Sequence, residues 1–358
     1  MITTVATFAK NYPDFRKRME SICVVDVGNA FTKTHSGIKF PSTVKEVFNL
    51  NEDNTDAYTT VVEYEGTTYR VGSQKAESMM DPNKYQSIDY KLLVLTAIVE
   101  HFNLMSEKQG KPAKTDLSVR LGLGLPAQYY TDHVDLLKNE FRRQEFTLTI
   151  DEKTYDIKII DVQVFKQGGT LSRDDAENYD YPMLIVDFGG GTLDASYWDS
   201  VTTKRGTKEP RLTDSISDER YGFQQVMHEL RTKLVSNTNS KLSIYNLIDY
   251  LEDDHVHFLS DDLFRALVEE TLMPYANDVY RHLHNRFDII STKQICLIGG
   301  PARLLVDYFK EMVPPTCEVK LMNESSPQFA NVNLFYHKYA YAQMVFYTNT
   351  VLTKAPKE

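Results

Sequence analysis

Two segments of this chain read alike: "VVDVGNAFTKT" at residues 24–34 and "IVDFGGGTLDA" at residues 185–195. Each is an apolar run closed by Val-Asp-x-Gly, and the two aspartates, Asp26 and Asp187, stand 161 positions apart. A short apolar run reads as a buried strand, and glycine directly after it marks a turn or a close approach of backbone to something else. The chain therefore holds two copies of one loop. A hairpin of this kind offers consecutive backbone N–H groups to an anion, and glycine removes the Cβ that would keep the anion away. An aspartate facing the same gap cannot hold phosphate, because both are negative. It makes sense with a divalent cation between them, usually Mg²⁺ with its waters.

A third segment, "ICLIGGPARLL", repeats strand, glycine turn and helix without the acid. Paired glycines at Gly299 and Gly300 suit a flat ring or a ribose lying against backbone, and the helix start near Pro301 favours a nearby anion. Any one of these glycine turns alone is most simply just a turn. Three in this order, two with matched aspartates, point to a nucleotide.

Composition narrows the rest. At 358 residues, 42% apolar and 25% charged, the chain suits about two globular domains. It contains no apolar run of the roughly 18 residues that span a bilayer, and its N-terminus lacks the regions of a signal peptide, so the expected location is the cytoplasm. Cys23, Cys296 and Cys317 form no disulfide framework, and no CxxC pair suggests zinc. The net charge of −10 argues against direct binding of nucleic acid, which needs clustered Lys and Arg. If DNA is involved, another protein should hold it.

Along the chain, residues 1–20 alternate apolar and basic positions, but Pro13 breaks any single helix. A membrane anchor is thereby disfavoured against an extension that packs on the body or stays loose. Strands with tight turns follow from Ser21, then a hairpin around Glu65 and Gly66. "YKLLVLTAIVEHFNLM" has helical periodicity, "DLSVRLGLGLP" reads as a strand, "YTDHVDLLKNEFRRQ" as a helix and "FTLTIDEKTYDIKIIDVQVF" as strands. A charged linker at 172–181 precedes the second loop, a polar loop lies near 203–210, residues 222–286 are mostly helical, and "ANVNLFYHKYAYAQMVF" closes the chain as a helix. "GLGLPA" at 122–127, with Glu145 beyond it, matches a relaxed dinucleotide fingerprint, but its alternating leucines favour glycines inside a strand packed closely on a neighbour. There is no P-loop motif. The His255/His257 and His282/His284 pairs sit two residues apart, on different sides of a helix, which disfavours a metal site.

On these motifs the sequence resembles the actin, Hsp70 and sugar-kinase ATPase superfamily over about residues 21–345, and within it most resembles plasmid-segregating bacterial actins of the ParM type. "GTTYRVGSQ" is similar to their G-x-x-Y-x-V-G hairpin and "GLPAQYY" to their strand-ending G-L-P. "QFANVNLFYHKYAYA" is similar to their closing A-N-x-x-G-F helix, with Leu334 where glycine is usual. The resemblance implies an α/β fold of duplicated actin-like (ribonuclease H-like) domains closing on a nucleotide cleft. It implies an N-terminal extension at 1–20 and a domain I at 21–182, with a small subdomain at about 35–100 and completion by a C-terminal helix at 328–348. Domain II is expected at 183–327, with a helical subdomain at about 223–290.

It further implies Asp26, Gly28, Asn29 and Lys33 in the first phosphate loop and Asp187, Gly189, Gly190, Gly191 and Thr192 in the second. Lys33 should reach the β- or γ-phosphate, and Asp26 and Asp187 should hold Mg²⁺ through water. Gly299, Gly300 and Arg303 fall in the adenosine loop, and Glu219, Gly222 and Phe223 beside the ribose and base. Gln167, in "VQVFKQGGTL", stands where the family orients the attacking water, although ParM-type actins usually carry a proline and a glutamate there. The implied protein is an ATPase, with GTP as the alternative nucleotide, that assembles into filaments. It would move plasmid DNA through a DNA-binding adaptor on a centromere-like site. The competing readings are a membrane-associated cell-shape actin, for which only residues 1–20 speak, and a small-molecule kinase; an Hsp70-type chaperone lacks room for a peptide-binding domain.

Overall fold

The computed structural model describes residues 4–48, 59–74, 84–172, 175, 178–203, 208–238 and 242–352. Its centre is two sheets of the same plan. In the first, β1 (Ile22–Val27) lies between β2 (Phe31–Thr34) on one side and β7 (Asp116–Leu125) on the other, with β3 (Lys39–Pro41) beyond β2 and β9 (Lys153–Lys166) beyond β7. In the second, β10 (Met183–Phe188) lies between β11 (Leu193–Thr202) and β13 (Gln294–Ile298), flanked by β12 (Lys208–Asp218) and β14 (Glu318–Leu321). In both, the central strand pairs antiparallel with its hairpin partner and parallel with the strand reached after the helical crossover. The repeated Val-Asp-x-Gly thus marks a repeated fold. All six residues of β1 and of β10 are buried, as expected for central strands covered on both faces.

The first sheet continues where the second stops. Beyond β9 come β8 (Glu145–Ile150), β5 (Thr60–Tyr64), β6 (Thr67–Val71) and β4 (Val44–Glu46), giving nine strands. The β5–β6 turn holds Glu65 and Gly66 at φ 50° and 80°, the two positive values that a tight hairpin with right-handed strand twist requires. Helices α3 (Ile88–Lys108) and α4 (Tyr130–Phe141) cover this sheet. Helices α5 (Phe223–Thr238), α6 (Ile244–Asp253), α7 (Asp261–Arg286) and α8 (Ala302–Met312) build the core against the second.

Helix α9 (Ala330–Tyr347) returns to the first sheet: Val332, Phe335, Tyr339 and Ala340 bury against Ile22 and Val24. The N-terminal residues join the same cluster. They form two short helices, α1 (Val5–Asn11) and α2 (Pro13–Met19), separated at the proline, and Phe8, Phe15 and Met19 are buried under α9. Their apolar stripe is thus spent inside the fold. No helix among the described residues is long and apolar enough to cross a membrane.

Two expectations need adjustment, and one strand was not expected. The polar loop expected to reach residue 210 ends earlier, because β12 pairs with β11 from Lys208 onward. Strand β14 had no expectation at all: "EVKL" is short and only one of its four residues is buried. The charged stretch 172–181 lies partly outside the described residues, but Asp175 is buried, accepting from the Ser172 backbone and hydroxyl. The glycines of "GLGLPA" sit inside β7 as expected. A Cβ on Gly122 would stand 2.9 Å from Val24, and one on Gly124 would stand 2.6 Å from the Phe335 ring.

Candidate functional site

The two hairpins that follow β1 and β10 are built alike. Gly28 N–H donates to the Phe31 carbonyl at 3.1 Å, and Gly189 N–H donates to the Thr192 carbonyl at 3.0 Å. A Cβ at Gly28 would lie 3.0 Å from the oxygen of Phe31, and one at Gly189 only 2.7 Å from that of Thr192, so glycine is needed for closure itself. The strand register then places a residue opposite each acid: Lys33 faces Asp26, and Asp194 faces Asp187.

The hairpin tips meet. A Cβ on Gly191 would run into the Asn29 amide, and Gly190 lies just behind it. Behind the second tip, Phe223 N–H and Gln224 N–H at the start of α5 donate to the carbonyls of Gly189 and Gly190 at 3.0 and 2.9 Å. Gly222 packs so closely there that a Cβ would be 2.6 Å from the Gly191 carbonyl oxygen. The carbonyls of the glycine run are therefore turned toward α5.

Asp26, Asp187 and Asp194 are 2%, 4% and 1% exposed, a buried group of three carboxylates that requires compensation. Part of it comes from two amides, one on the segment that passes between the sheets and one at the head of α9. Gln167 Nε2 donates to Asp26 Oδ1 at 2.6 Å, and Asn331 Nδ2, at the head of α9, donates to Asp187 Oδ2 at 2.6 Å. Asn331 Oδ1 in turn accepts from Gly168 N–H at 3.2 Å, so one side chain ties the crossing segment, α9 and the second loop together. Lys33 Nζ lies 3.4 Å from Asp26 Oδ2 and donates to the Gln328 carbonyl at 3.3 Å. Asp194 accepts from Thr192 Oγ1 at 2.8 Å and from Ala127 N–H at 3.1 Å.

Burial, then the charge of Asp194, pushes the Asp187 carboxyl up to about 7, against the opposing bond from Asn331. Burial also raises Asp194, against the bonds it accepts from Thr192 and Ala127. Two carboxylates that resist ionising together are what a cation with its waters would relieve.

The expected residues divide. Asp26, Gly28, Asn29, Lys33, Gln167, Asp187, Gly189, Gly190, Gly191, Thr192 and Gly222 gather at this junction. Gly299 adjoins it: its φ is 93°, and a Cβ there would come 2.9 Å from Asp187 Oδ1. Beside it, a Cβ on Gly300 would meet nothing, which leaves open space over that backbone.

Others do different work. The Phe223 ring is buried in the α-helical core against Tyr275, so its contribution here is its backbone N–H. Arg303 Nη2 donates to the carbonyls of Glu324 and Ser325 and braces that turn. Glu219 accepts from Gln128 Nε2 at 2.8 Å and from the Tyr129 hydroxyl, linking the two sheets at their outer rim.

Sequence reasoning missed Asp194, Asn331 and Lys84. Asp194 stands seven residues after Asp187 as Lys33 does after Asp26, so the repeat itself carried the signal. Asn331 lay within a segment noticed for its helix. Nothing local marks Lys84, whose Nζ donates to the Val27 carbonyl and to Asn29 Oδ1 across more than 50 residues of sequence.

Residues 24–169 match the family model of the N-terminal domain of actin-like proteins. No curated protein matches the chain. Among solved structures, the fold is similar to a non-polymerisable quadruple mutant of pCBH ParM (19% identity, 90% of this chain and 99% of that one, TM-score 0.67). It is similar also to ParM in a 15-stranded filament from Clostridium botulinum (17%, 90% and 99%, 0.65). A third likeness is to the archaeal actin homologue Ta0583 in complex with ADP (18%, 90% and 99%, 0.66). Residues 24–169 thus match an actin-like N-terminal domain, and the chain as a whole shares the duplicated actin-like α/β fold.

Proposed function

We propose that the junction of the two hairpins binds ATP, or GTP, with Mg²⁺, and that slow hydrolysis there governs assembly of this chain into filaments. The observation that carries the reading is the convergence of Asp26, Asp187 and Gln167 from separate parts of the fold onto one gap walled by glycine backbone. The donor set fits a hydrated cation: buried carboxylates, one of them facing another, with too few cations around them. Asp26 and Asp187 would hold its waters, and Asp194 lies beside them. When bound, Mg²⁺ supplies neutralisation of phosphate charge.

The chain's own groups do the rest. The N–H groups of Gly190 and Gly191 face away from α5 and are available to phosphate, and Lys33 adds a point charge. Gly299 and Gly300 leave bare backbone for the nucleoside, with Glu219 at the rim. Gln167 donates one amide hydrogen to Asp26, which fixes its side chain and leaves its carbonyl oxygen to align a water. An amide is a negligible base, so hydrolysis by positioning is expected to be slow.

Two of the similar structures are named as a filament and as a non-polymerisable mutant, which supports self-assembly as the output. Head-to-tail contacts between identical subunits do not close and so extend. The likeness to ParM proteins suggests a cytoplasmic role in plasmid DNA segregation, and the net charge of −10 then favours an adaptor protein, and not this chain, as the holder of the DNA. Sedimentation and phosphate release, followed with ATP and with GTP in Mg²⁺, test the reading. Nucleotide-dependent pelleting above a critical concentration, with slow phosphate release, is expected. Turnover without pelleting would favour the small-molecule kinase.

A further inference from the structure

Lys84 is a buried lysine that the catalytic reading above does not use. It is 6% exposed, and among the described residues no carboxylate lies within ion-pair distance of it. Its place is rigid. It opens a single helical turn, Lys84–Gln86, whose next residue, Ser87, caps α3 by accepting from Tyr90 N–H at 3.1 Å. The Ser87 hydroxyl donates back to the Lys84 carbonyl at 2.7 Å. Tyr85 beside it is buried against Tyr90 and His133. A buried ammonium costs several kcal/mol unless something compensates it.

The compensation here is the first phosphate loop. Nζ donates to the Val27 carbonyl at 3.1 Å and to Asn29 Oδ1 at 2.8 Å. An ammonium has donors only, so it selects the oxygen of the Asn29 amide and turns the NH₂ the other way. That NH₂ lies against Gly191 at the tip of the opposite loop. Without Lys84, either end of the amide could face the gap, and the Val27 carbonyl would be a free negative dipole close to Asp26.

We propose that Lys84 is a positioning residue: by holding the Val27 carbonyl and the Asn29 oxygen, it makes the first loop meet a phosphate chain with donors only. The proposal rests on the nucleotide reading of the gap. It also gives a role to a lysine whose pKa burial lowers to about 8, with the nearby Asp26 acting in the opposite direction. In the folded chain the residue is held by oxygens that it serves to orient.

The test is calorimetric titration of the full chain with Mg²⁺-ATP and Mg²⁺-GTP, continued with whichever nucleotide the wild type binds, alongside thermal melts. Asn29→Asp keeps a partner for Lys84, so it should fold, but it turns a carboxylate oxygen toward phosphate; Kd should rise roughly tenfold to a hundredfold, the range of one charge-assisted hydrogen bond. Lys84→Met should raise Kd roughly tenfold, and Lys84→Gln, whose amide can still donate to one of the oxygens, should recover part of that loss. Unchanged Kd in Asn29→Asp overturns the proposal, as does a Lys84→Gln no better than a folded Lys84→Met. If Lys84→Met fails to melt cooperatively, Asn29→Asp and Lys84→Gln against wild type decide alone. A wild type that binds neither nucleotide overturns the reading of the gap itself, and that outcome is distinct from wild-type binding with insensitive variants.

Discussion

The two hairpins share strand order, closing hydrogen bond and acid position, yet they differ in what faces the acid. Asp26 looks across its hairpin at Lys33, and Asp187 looks across its own at Asp194. The first carboxylate has a cation within the protein, 3.4 Å away. The second has a buried carboxylate opposite and an amide from Asn331. The two loops thus share one backbone plan and differ in the residue seven positions past the acid. The first acid has an ion-pair partner across its own hairpin, whereas among the described residues the second has none within ion-pair distance and feels Lys33 only from farther off.

The largest break in this comparison should come from giving the first hairpin the partner of the second. Lys33→Asp would place like charges on opposite strands in a buried setting, with a cost of about 3 kcal/mol or more. Urea unfolding without nucleotide should show the loss; a variant as stable as wild type would mean that the Asp26–Lys33 contact carries no such weight.

A smaller effect follows from pH. The Asp187 carboxyl is raised from 3.8 in a free chain to about 7 when folded, by burial and by Asp194. Protonation therefore favours the folded state: this contribution is fully present below about pH 4 and is lost as pH rises through about 7. Without Mg²⁺ and nucleotide, stability should fall across that window, and Asp187→Asn should flatten the fall. An equal slope in wild type and Asp187→Asn would place the titration elsewhere.

Smaller still is Gln167→Ala. It removes the amide that touches Asp26 and that, on the proposed reading, aligns water, so phosphate release should slow by roughly tenfold, about 1.4 kcal/mol in the barrier. Filaments should still form and persist longer. Phosphate release and light scattering recorded together separate the outcomes: wild-type release places the water elsewhere, and failure to assemble makes Gln167 structural.

Much of this was legible in the sequence because the informative residues are close together along it. Strand, aspartate and glycines fall within a few positions, and their recurrence exposed both loops and the strand that each belongs to. The doubled sheet plan was legible for the same reason, since a buried central strand must be apolar throughout. Long-range pairings were not. Lys84 meets Asn29, Asn331 meets Asp187, and Gln167 meets Asp26 only because the chain crosses between the sheets and returns with α9. The resemblance places the helix start at Phe223 beside the ribose and base but does not say where its ring goes; an aromatic residue there suits a core as well, and the core holds the ring. The N-terminal segment was ambiguous in the same way, because an apolar stripe does not name its partner, which here is α9.

On the proposed reading, the two acids share one hydrated cation on a nucleotide and the second loop depends on it more. Its most direct test is the nucleotide affinity of wild type, Asp26→Ala and Asp187→Ala, each titrated in Mg²⁺ and in EDTA. Wild type should bind at least roughly tenfold more tightly in Mg²⁺. Asp26→Ala should retain part of that gain, and Asp187→Ala should bind no better in Mg²⁺ than in EDTA. An undiminished Mg²⁺ gain in Asp187→Ala would contradict the assignment of this acid and of the loop that carries it.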